Sequence, residues 1–439
     1  MPTEDDNSGP SPRRKPKPSP TTIGNHKLSA STLMMGYGFD PALSEGSLKP
    51  PIFLTSTFVF ENAAAGKRFF EGVTGKRPGG AEGLIYSRFN GPNQEILEER
   101  LKLWEDGEDA LTFSSGMSAI ATLLLTFVQP GDVIVHSGPL YAATETLINK
   151  ILGRFGVSWL DFPAGATREE IDAVIAAGTA KGRVSLIYLE SPANPTNALV
   201  DVEAVAAARD AAFGASSGKG ARPPIAIDNT FLGPLWSKPL AHGADLSVYS
   251  LTKYAGGHSD LVAGGIVGNK ALINQIQMLR NTIGTILDPN TAWMLLRSLE
   301  TLELRMDRAG ENAAKVCAYL RDHPKVETVG YLGFLEEGSR QADIFNRHCS
   351  GPGSTFSLYL KGGEREAFAF LDALTIAHLA VSLGGTETLA SAPAAMTHLS
   401  VPDERKAALG ITDNLVRISI GVEDADDLIA DFENALRAV

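Results

Sequence analysis

Cysteine is nearly absent, with Cys317 and Cys349 alone in a chain of 439 residues. Two thiols without CxxC spacing exclude a disulfide framework and point to a reducing compartment. Basic residues are in deficit, 39 against 51 acidic ones, for a formal charge of -12. No domain-wide positive field is therefore available to attract a nucleic-acid backbone. No apolar run approaches the length that crosses a bilayer, and the N-terminus lacks the apolar core of a secretory signal. The expectation is a soluble cytoplasmic protein with no nucleic-acid partner, no membrane partner and no metal site. The one dense basic run, Arg13, Arg14, Lys15 and Lys17, lies in a Pro/Ser-rich leader. Residues 1–25 are expected to be disordered and to stand outside the fold, with a targeting or anion-binding tail as the alternative.

What is present is ordinary for a globular protein, 44% hydrophobic and 21% charged, and long enough for two or three domains. Between about residues 109 and 270, short apolar runs alternate with helical periods, the pattern of a mainly parallel sheet covered on both faces. The strand-like runs are DALTF (109–113), DVIVH (132–136), VSWLDF (157–162), RVSLIYLE (183–190), PIAID (224–228) and DLSVYS (245–250). Helical periods such as MSAIATLLLTFV and VEAVAAARDAAF lie between them. SSGKGARPP (216–224) reads as a surface loop, since its spacing fails as a phosphate loop. From Thr291 one long helical pattern leads to strands near 325–331, 354–360 and 415–420, then to a closing amphipathic helix. The division expected is an arm and inter-subunit loop over 26–90, a large domain over 91–290 and a smaller α+β domain over 291–439.

The stretch VYSLTKYAGGHSDLVAGG (248–265) carries the most chemistry. A buried strand would deliver Ser250, Thr252 and Lys253 to its C-terminal end, where open α/β sheets bind ligands. Burial lowers an amine's pKa, and a neutral amine is what Schiff-base chemistry needs. S-x-T-K alone is short and common, so its companions matter. Asp228 ends an apolar strand, and a protonated pyridine nitrogen is a partner that would offset burial of its carboxylate. SSGMSAIATLLL (114–125) is a turn opening an apolar helix, which suits Gly116 and Met117 to a phosphate. Tyr141 begins a helix directly after a strand, where its ring can stack on a flat cofactor. Taken singly, these three read as a turn cap, a helix cap and a core tyrosine. Together they point to pyridoxal 5'-phosphate (PLP) held on Lys253 in an enzyme acting on an amino acid.

From about residue 30 to the C-terminus, the sequence resembles the Cys/Met-metabolism family of PLP enzymes, which holds γ-synthases, γ-lyases and sulfhydrylases. The resemblance is carried by PPIFLTSTFVF, YSR (86–88), SSGMSA, ESPANPT, IDNTF, SLTKY, GGHSD, RMDR, SLGGTETL, PAAMTH and LVRISIGVED. It implies the α/β fold of the aspartate-aminotransferase type (fold type I) and a homotetramer of tight dimers. It makes Lys253 the Schiff-base lysine, Asp228 the partner of the pyridine nitrogen and Tyr141 the stacking ring. Gly116, Met117, Ser250 and Thr252 would bind the phosphate, with Tyr86 and Arg88 from a neighbouring subunit. Arg417 would grip the substrate carboxylate beside Asn194 and Ser382. The activity implied is γ-elimination or γ-replacement on an amino acid with a γ-heteroatom leaving group: methionine, cystathionine, an O-acyl-homoserine or canavanine. An O-acetylhomoserine sulfhydrylase, an aminotransferase and a catalytically silent binding protein are the alternatives. The chain departs from the family pattern at YSRFNGPN and the preceding TGKRPGGAEG. It departs again at YAAT, where Ala143 replaces a lyase cysteine, and at Arg280-Asn281, where Lys-Asp is usual.

Overall fold

The structure is a computed structural model that describes residues 19–78, 83–214, 222–399 and 401–439. The basic run of the leader and most of the 216–224 loop lie outside the described residues. Residues 19–25 do not continue that leader: β1 (Thr22–Ile23) pairs antiparallel with β2 (His26–Lys27). Backbone pairing therefore begins before the expected boundary.

All six strands read in the central region are present: β3 (Asp109–Phe113), β4 (Asp132–Gly138), β5 (Ser158–Pro163), β6 (Arg183–Glu190), β7 (Ile225–Asp228) and β8 (Leu246–Ser250). β4 and β7 are buried along their whole length and β6 along all but its first residue. That is why their sequences run apolar without alternation, as parallel strands covered on both faces do. A seventh strand, β9 (Gly264–Gly268), was not legible in the sequence, because GGIVG carries three glycines and little β-propensity. The crowding explains the glycines. A Cβ on Gly264 would stand 2.2 Å from the Ser115 carbonyl oxygen, and one on Gly268 would stand 2.3 Å from that of Asp245. The sheet order is β3-β9-β8-β7-β6-β4-β5. β9 alone runs antiparallel to its neighbours. The parallel strands β6, β7 and β8 consequently end side by side at Glu190, Asp228 and Ser250.

The single long helix expected from Thr291 is two helices, Pro289–Leu299 and Leu302–Arg321. At the break the Ser298 carbonyl accepts the Thr301 N–H at 3.2 Å and Arg305 Nη2 at 2.9 Å, while Arg305 Nη1 donates to the Tyr254 carbonyl at 2.8 Å. The end of the first helix is thus satisfied by a tight turn and a side chain together. The second helix and the closing helix Ala425–Ala438 cover a five-stranded sheet. Its strands are β10 (Val326–Gly330), β11 (Thr355–Leu360), β12 (His378–Leu379), β13 (Leu389–Ser391) and β14 (Leu415–Ser419), in the order β10-β11-β14-β13-β12. Val316, Leu320, Phe356, Leu358, Ile418 and Phe432 form one buried cluster. Burying each such side chain is worth about 1.5–3 kcal/mol.

Helix Arg340–His348 is bound back to the large domain by charge. Arg347 donates to Asp201 at 2.8 Å, to Glu203, and to His348 Nε2 at 3.1 Å. Ligand atoms of Glu203, His242 and His348 all lie within 4.8 Å of one another. The Arg347 guanidinium already serves that cluster as its cation.

Candidate active site

A cavity of about 320 Å³ opens where β6, β7 and β8 end, and the small domain closes its far side. Ser115, Gly116, Met117, Tyr141, Asp228, Ser250, Thr252 and Lys253 line it from the large domain, and Ser382 and Arg417 from the small one. Asn194 lines it too. Ten of the twelve residues singled out in the sequence thus meet in one cavity. The other two, Tyr86 and Arg88, lie outside it: Arg88 donates to the Asn281 carbonyl and stacks over Phe89 at 4.7 Å.

Helix Gly116–Phe127 starts at the cavity with Ser115 as its cap, in a capping box with Ser118. The first N–H groups of a helix have no carbonyl behind them, so those of Gly116 and Met117 are free for an anion. A Cβ on Gly116 would stand 3.0 Å from that of Ser250, closer than side chains ordinarily approach, so glycine favours the turn lying this close to β8. Ser250 Oγ makes no hydrogen bond among the described residues, whereas Thr252 Oγ1 is engaged with the backbone of Ala263. A phosphate finds an N–H cradle and a free hydroxyl here.

Asp228 is buried, and Thr230 donates to its Oδ1 from its backbone at 3.1 Å and its hydroxyl at 2.5 Å. Oδ2 has no hydrogen-bond partner among the described residues. Burial raises the Asp228 pKa, against which the two Thr230 bonds and the charge of Lys253 act. A carboxylate held on one oxygen and bare on the other fits a ring N–H cation. Lys253 follows β8 in a tight turn, and its Nζ donates to Ser382 Oγ at 2.9 Å. Burial first, and then the charge of Arg417, bring its amine down to about 8, opposed by Asp228. The neutral form is therefore far more accessible near physiological pH than that of an ordinary lysine.

Arg417 sits within β14 and is fully buried, which lowers it to about 10. Its Nη1 donates to Asn194 Oδ1 at 3.2 Å and its Nη2 to the Ser382 carbonyl at 2.7 Å, while its Nε is buried without a partner. An orphaned guanidinium N–H at a cavity wall fits an incoming carboxylate. Ser382 adopts φ 121°, a conformation that L-residues rarely take. It pays that strain to present its carbonyl to Arg417 and its hydroxyl to Lys253.

Two residues in contact with these groups were not singled out from sequence. Thr230, in IDNTF, holds Asp228. Glu190 ends β6 in register with Asp228 at the end of β7. Its signal was the same as that of Asp228, an acid ending an apolar strand. Of the departures noted, Arg280 is a buried clamp that donates to Glu98 at 2.6 Å, away from the cavity. Ala143 lies in the neighbouring surface depression with Met117, Tyr141 and Thr397.

Residues 31–437 match the family described as Cys/Met metabolism PLP-dependent enzyme. The chain is 38% identical over 413 residues to an L-methionine gamma-lyase of Pseudomonas deceptionensis, covering 93% of this chain and 97% of that one. It is 35% identical over 413 residues to a cystathionine gamma-lyase of Bacillus subtilis, covering 94% and 100%. A cystathionine gamma synthase from Xanthomonas oryzae pv. oryzae, solved with aminoacrylate and cysteine, superposes with a TM-score of 0.82 at 32% identity. That match covers 94% of this chain and 98% of the other. The expected α/β architecture of a PLP enzyme, a large sheet domain with a smaller C-terminal one, is the architecture found.

Proposed function

We propose that this chain, which belongs to the Cys/Met metabolism PLP-dependent enzyme family, performs γ-elimination on an amino acid with an uncharged γ-thioether, of which methionine is the simplest. γ-Replacement on the same substrate class is the other outcome the cavity permits. Its cofactor is pyridoxal 5'-phosphate, which, when bound, supplies an electron sink for carbanions at Cα and Cβ.

The observation that carries the reading is the meeting of Lys253 and Arg417 on Ser382. One strained residue sets the distance between the amine and the carboxylate grip. Arg417, with Asn194 beside it, holds the substrate carboxylate and so aims Cα at Lys253. Lys253, in the neutral form that burial makes accessible, would remove the Cα proton, deliver it to the cofactor's aldehyde carbon and so be free to take one from Cβ. Asp228 holds the proton on the ring nitrogen through Oδ2. Tyr141 would lie against the cofactor ring, and its phenol would hand a proton to the departing sulfur. Gly116, Met117 and Ser250 anchor the phosphate, with Thr252 at the same edge.

The walls beyond these groups are apolar, formed by Ile120, Phe231, Val262, Val381 and Leu383. Such a lining favours a methyl thioether over a leaving group that carries its own charges. Tyr86 and Arg88 complete the phosphate site from a second copy of the chain, in a dimer of dimers. A monomer in sedimentation would reject that part. Among the described residues no helix is long and apolar enough to cross a membrane. We place the protein in the cytoplasm, where Cys317 and Cys349 stay reduced.

A panel of methionine, cystathionine, O-acyl-homoserines and canavanine, with and without added thiol, tests the reading. Methionine should give 2-oxobutyrate and ammonia without thiol. New amino acids formed only in the presence of thiol, with no 2-oxobutyrate, would assign replacement instead.

A further inference from the structure

Glu190 is 4% exposed and lines the cavity, yet the chemistry above gives it no part. Its Oε2 accepts the backbone N–H of Tyr141 at 2.6 Å, and its Oε1 accepts that of Asn194 at 3.0 Å. Both donors belong to residues of the site. Tyr141 stands at the head of helix Ala142–Thr146, where its carbonyl accepts the N–H groups of Thr144 and Glu145 and its own N–H is held by Glu190. Asn194 passes the constraint on through its Oδ1 to Arg417. One carboxylate thus joins the stacking ring to the substrate's anchor. We infer that Glu190 is a positioning residue that fixes Tyr141 against the cofactor plane and Asn194 against Arg417, and that it does both fully only as an anion.

The second half follows from the contacts. Two N–H donors converge on two oxygens, and a carboxyl proton on either one competes with a donor. The surroundings oppose ionisation. Asp228 faces Glu190 from β7, Glu145 from helix Ala142–Thr146, and the Tyr188 phenol from its own strand. The nearby cations are engaged with its neighbours: Lys253 acts on Asp228, and Arg405 lies 3.7 Å from Glu145. Burial, and then Asp228, raise Glu190 to about 8, against which its two N–H bonds act. Below that pH it is protonated and the clamp is loose; above it the clamp is tight. The sign for stability is opposite, since the unfolded chain ionises first and the group costs stability as pH rises towards 8. Its position is explained by what it holds.

The substrate half of this inference rests on the substrate class proposed above, and the cofactor half only on the place proposed there for Tyr141 beside the cofactor. The test is Glu190→Gln in the holoenzyme, which turns an amide donor towards one of the two backbone N–H groups. Visible-region circular dichroism of bound PLP without substrate reads Tyr141, and KM reads Asn194. In the wild type the dichroism should strengthen and KM should fall as pH rises from about 7 to about 9. In E190Q both steps should vanish and KM at high pH should rise about tenfold, with Tm within about 3 °C of wild type. Ionisations of substrate and cofactor are common to both proteins and cancel in the ratio. E190Q values that follow wild type across the range would overturn the inference, as would a fall in Tm without a change in the pH profile. Should E190Q not fold, the wild type decides, because flat dichroism over that range also overturns it. A dichroism step in a protein that turns over none of the panel amino acids would uphold the clamp and reject the proposed substrate class.

Discussion

The wall of the cavity to which we assign the cofactor comes from the large domain, where β7 and β8 end side by side and their apolar runs deliver Asp228 and Lys253. The wall to which we assign the substrate comes from the small domain, where Arg417 lies within a strand and Ser382 holds φ 121°. The first wall is a by-product of the sheet: any parallel array places its strand ends together. The second depends on one strained residue bridging the two domains. The cofactor wall should therefore tolerate change in its surroundings and fail only at the groups themselves. The substrate wall should be adjustable through Ser382.

Substitutions can break this contrast. The largest effect is expected at Lys253→Ala, which should lose at least about a thousandfold in kcat. Borohydride should then no longer fix PLP to the peptide containing residue 253, and label on another lysine would refute the assignment. In the wild type, covalent capture of PLP by the apoprotein should slow about tenfold per pH unit below about 8, because the fraction of neutral Lys253 falls in that proportion.

The next effect separates the walls. Arg417→Ala should raise KM at least about thirtyfold, for a loss of about 2–5 kcal/mol, and leave PLP bound. Asp228→Ala should instead lower kcat and PLP affinity. An Arg417→Ala protein that loses stability but keeps a normal KM would make that arginine a structural residue.

The smallest effect sharpens the comparison. Ser382→Gly keeps the carbonyl that receives Arg417, removes the hydroxyl that receives Lys253, and relieves about 1–3 kcal/mol of backbone strain. Its Tm should be equal or higher, with KM changed by less than about tenfold. A large fall in Tm would show that the conformation of Ser382 carries no strain.

The cofactor half was legible because burial and chemistry left the same trace. IAID and LSVYS are strands whose apolar runs end in residues that have no place in a core, and chain order alone puts those ends at one edge. β9 escaped because its glycines answer to the crowding of Ser115 and Asp245, which is a matter of three dimensions. The break at Glu300–Thr301 escaped as well, since the helical period runs on across it and Arg305 bridges it to Ser298 and Tyr254 only in three dimensions. Glu190 carried a strand-end signal equal to that of Asp228, but no motif said which backbone groups it would meet.

The sequence by itself determined six of the seven strands of the large sheet, the strand-end lysine and aspartate, and the glycine turn at the helix start. These are local consequences of periodicity, burial and helix geometry. Only the tertiary structure decided that Arg417, some 160 residues beyond Lys253, shares Ser382 with it, and that Glu190 holds Tyr141 and Asn194 together. Such contacts join segments far apart in the chain, and their geometry is set by how two domains pack, for which no local pattern of residues carries a signal.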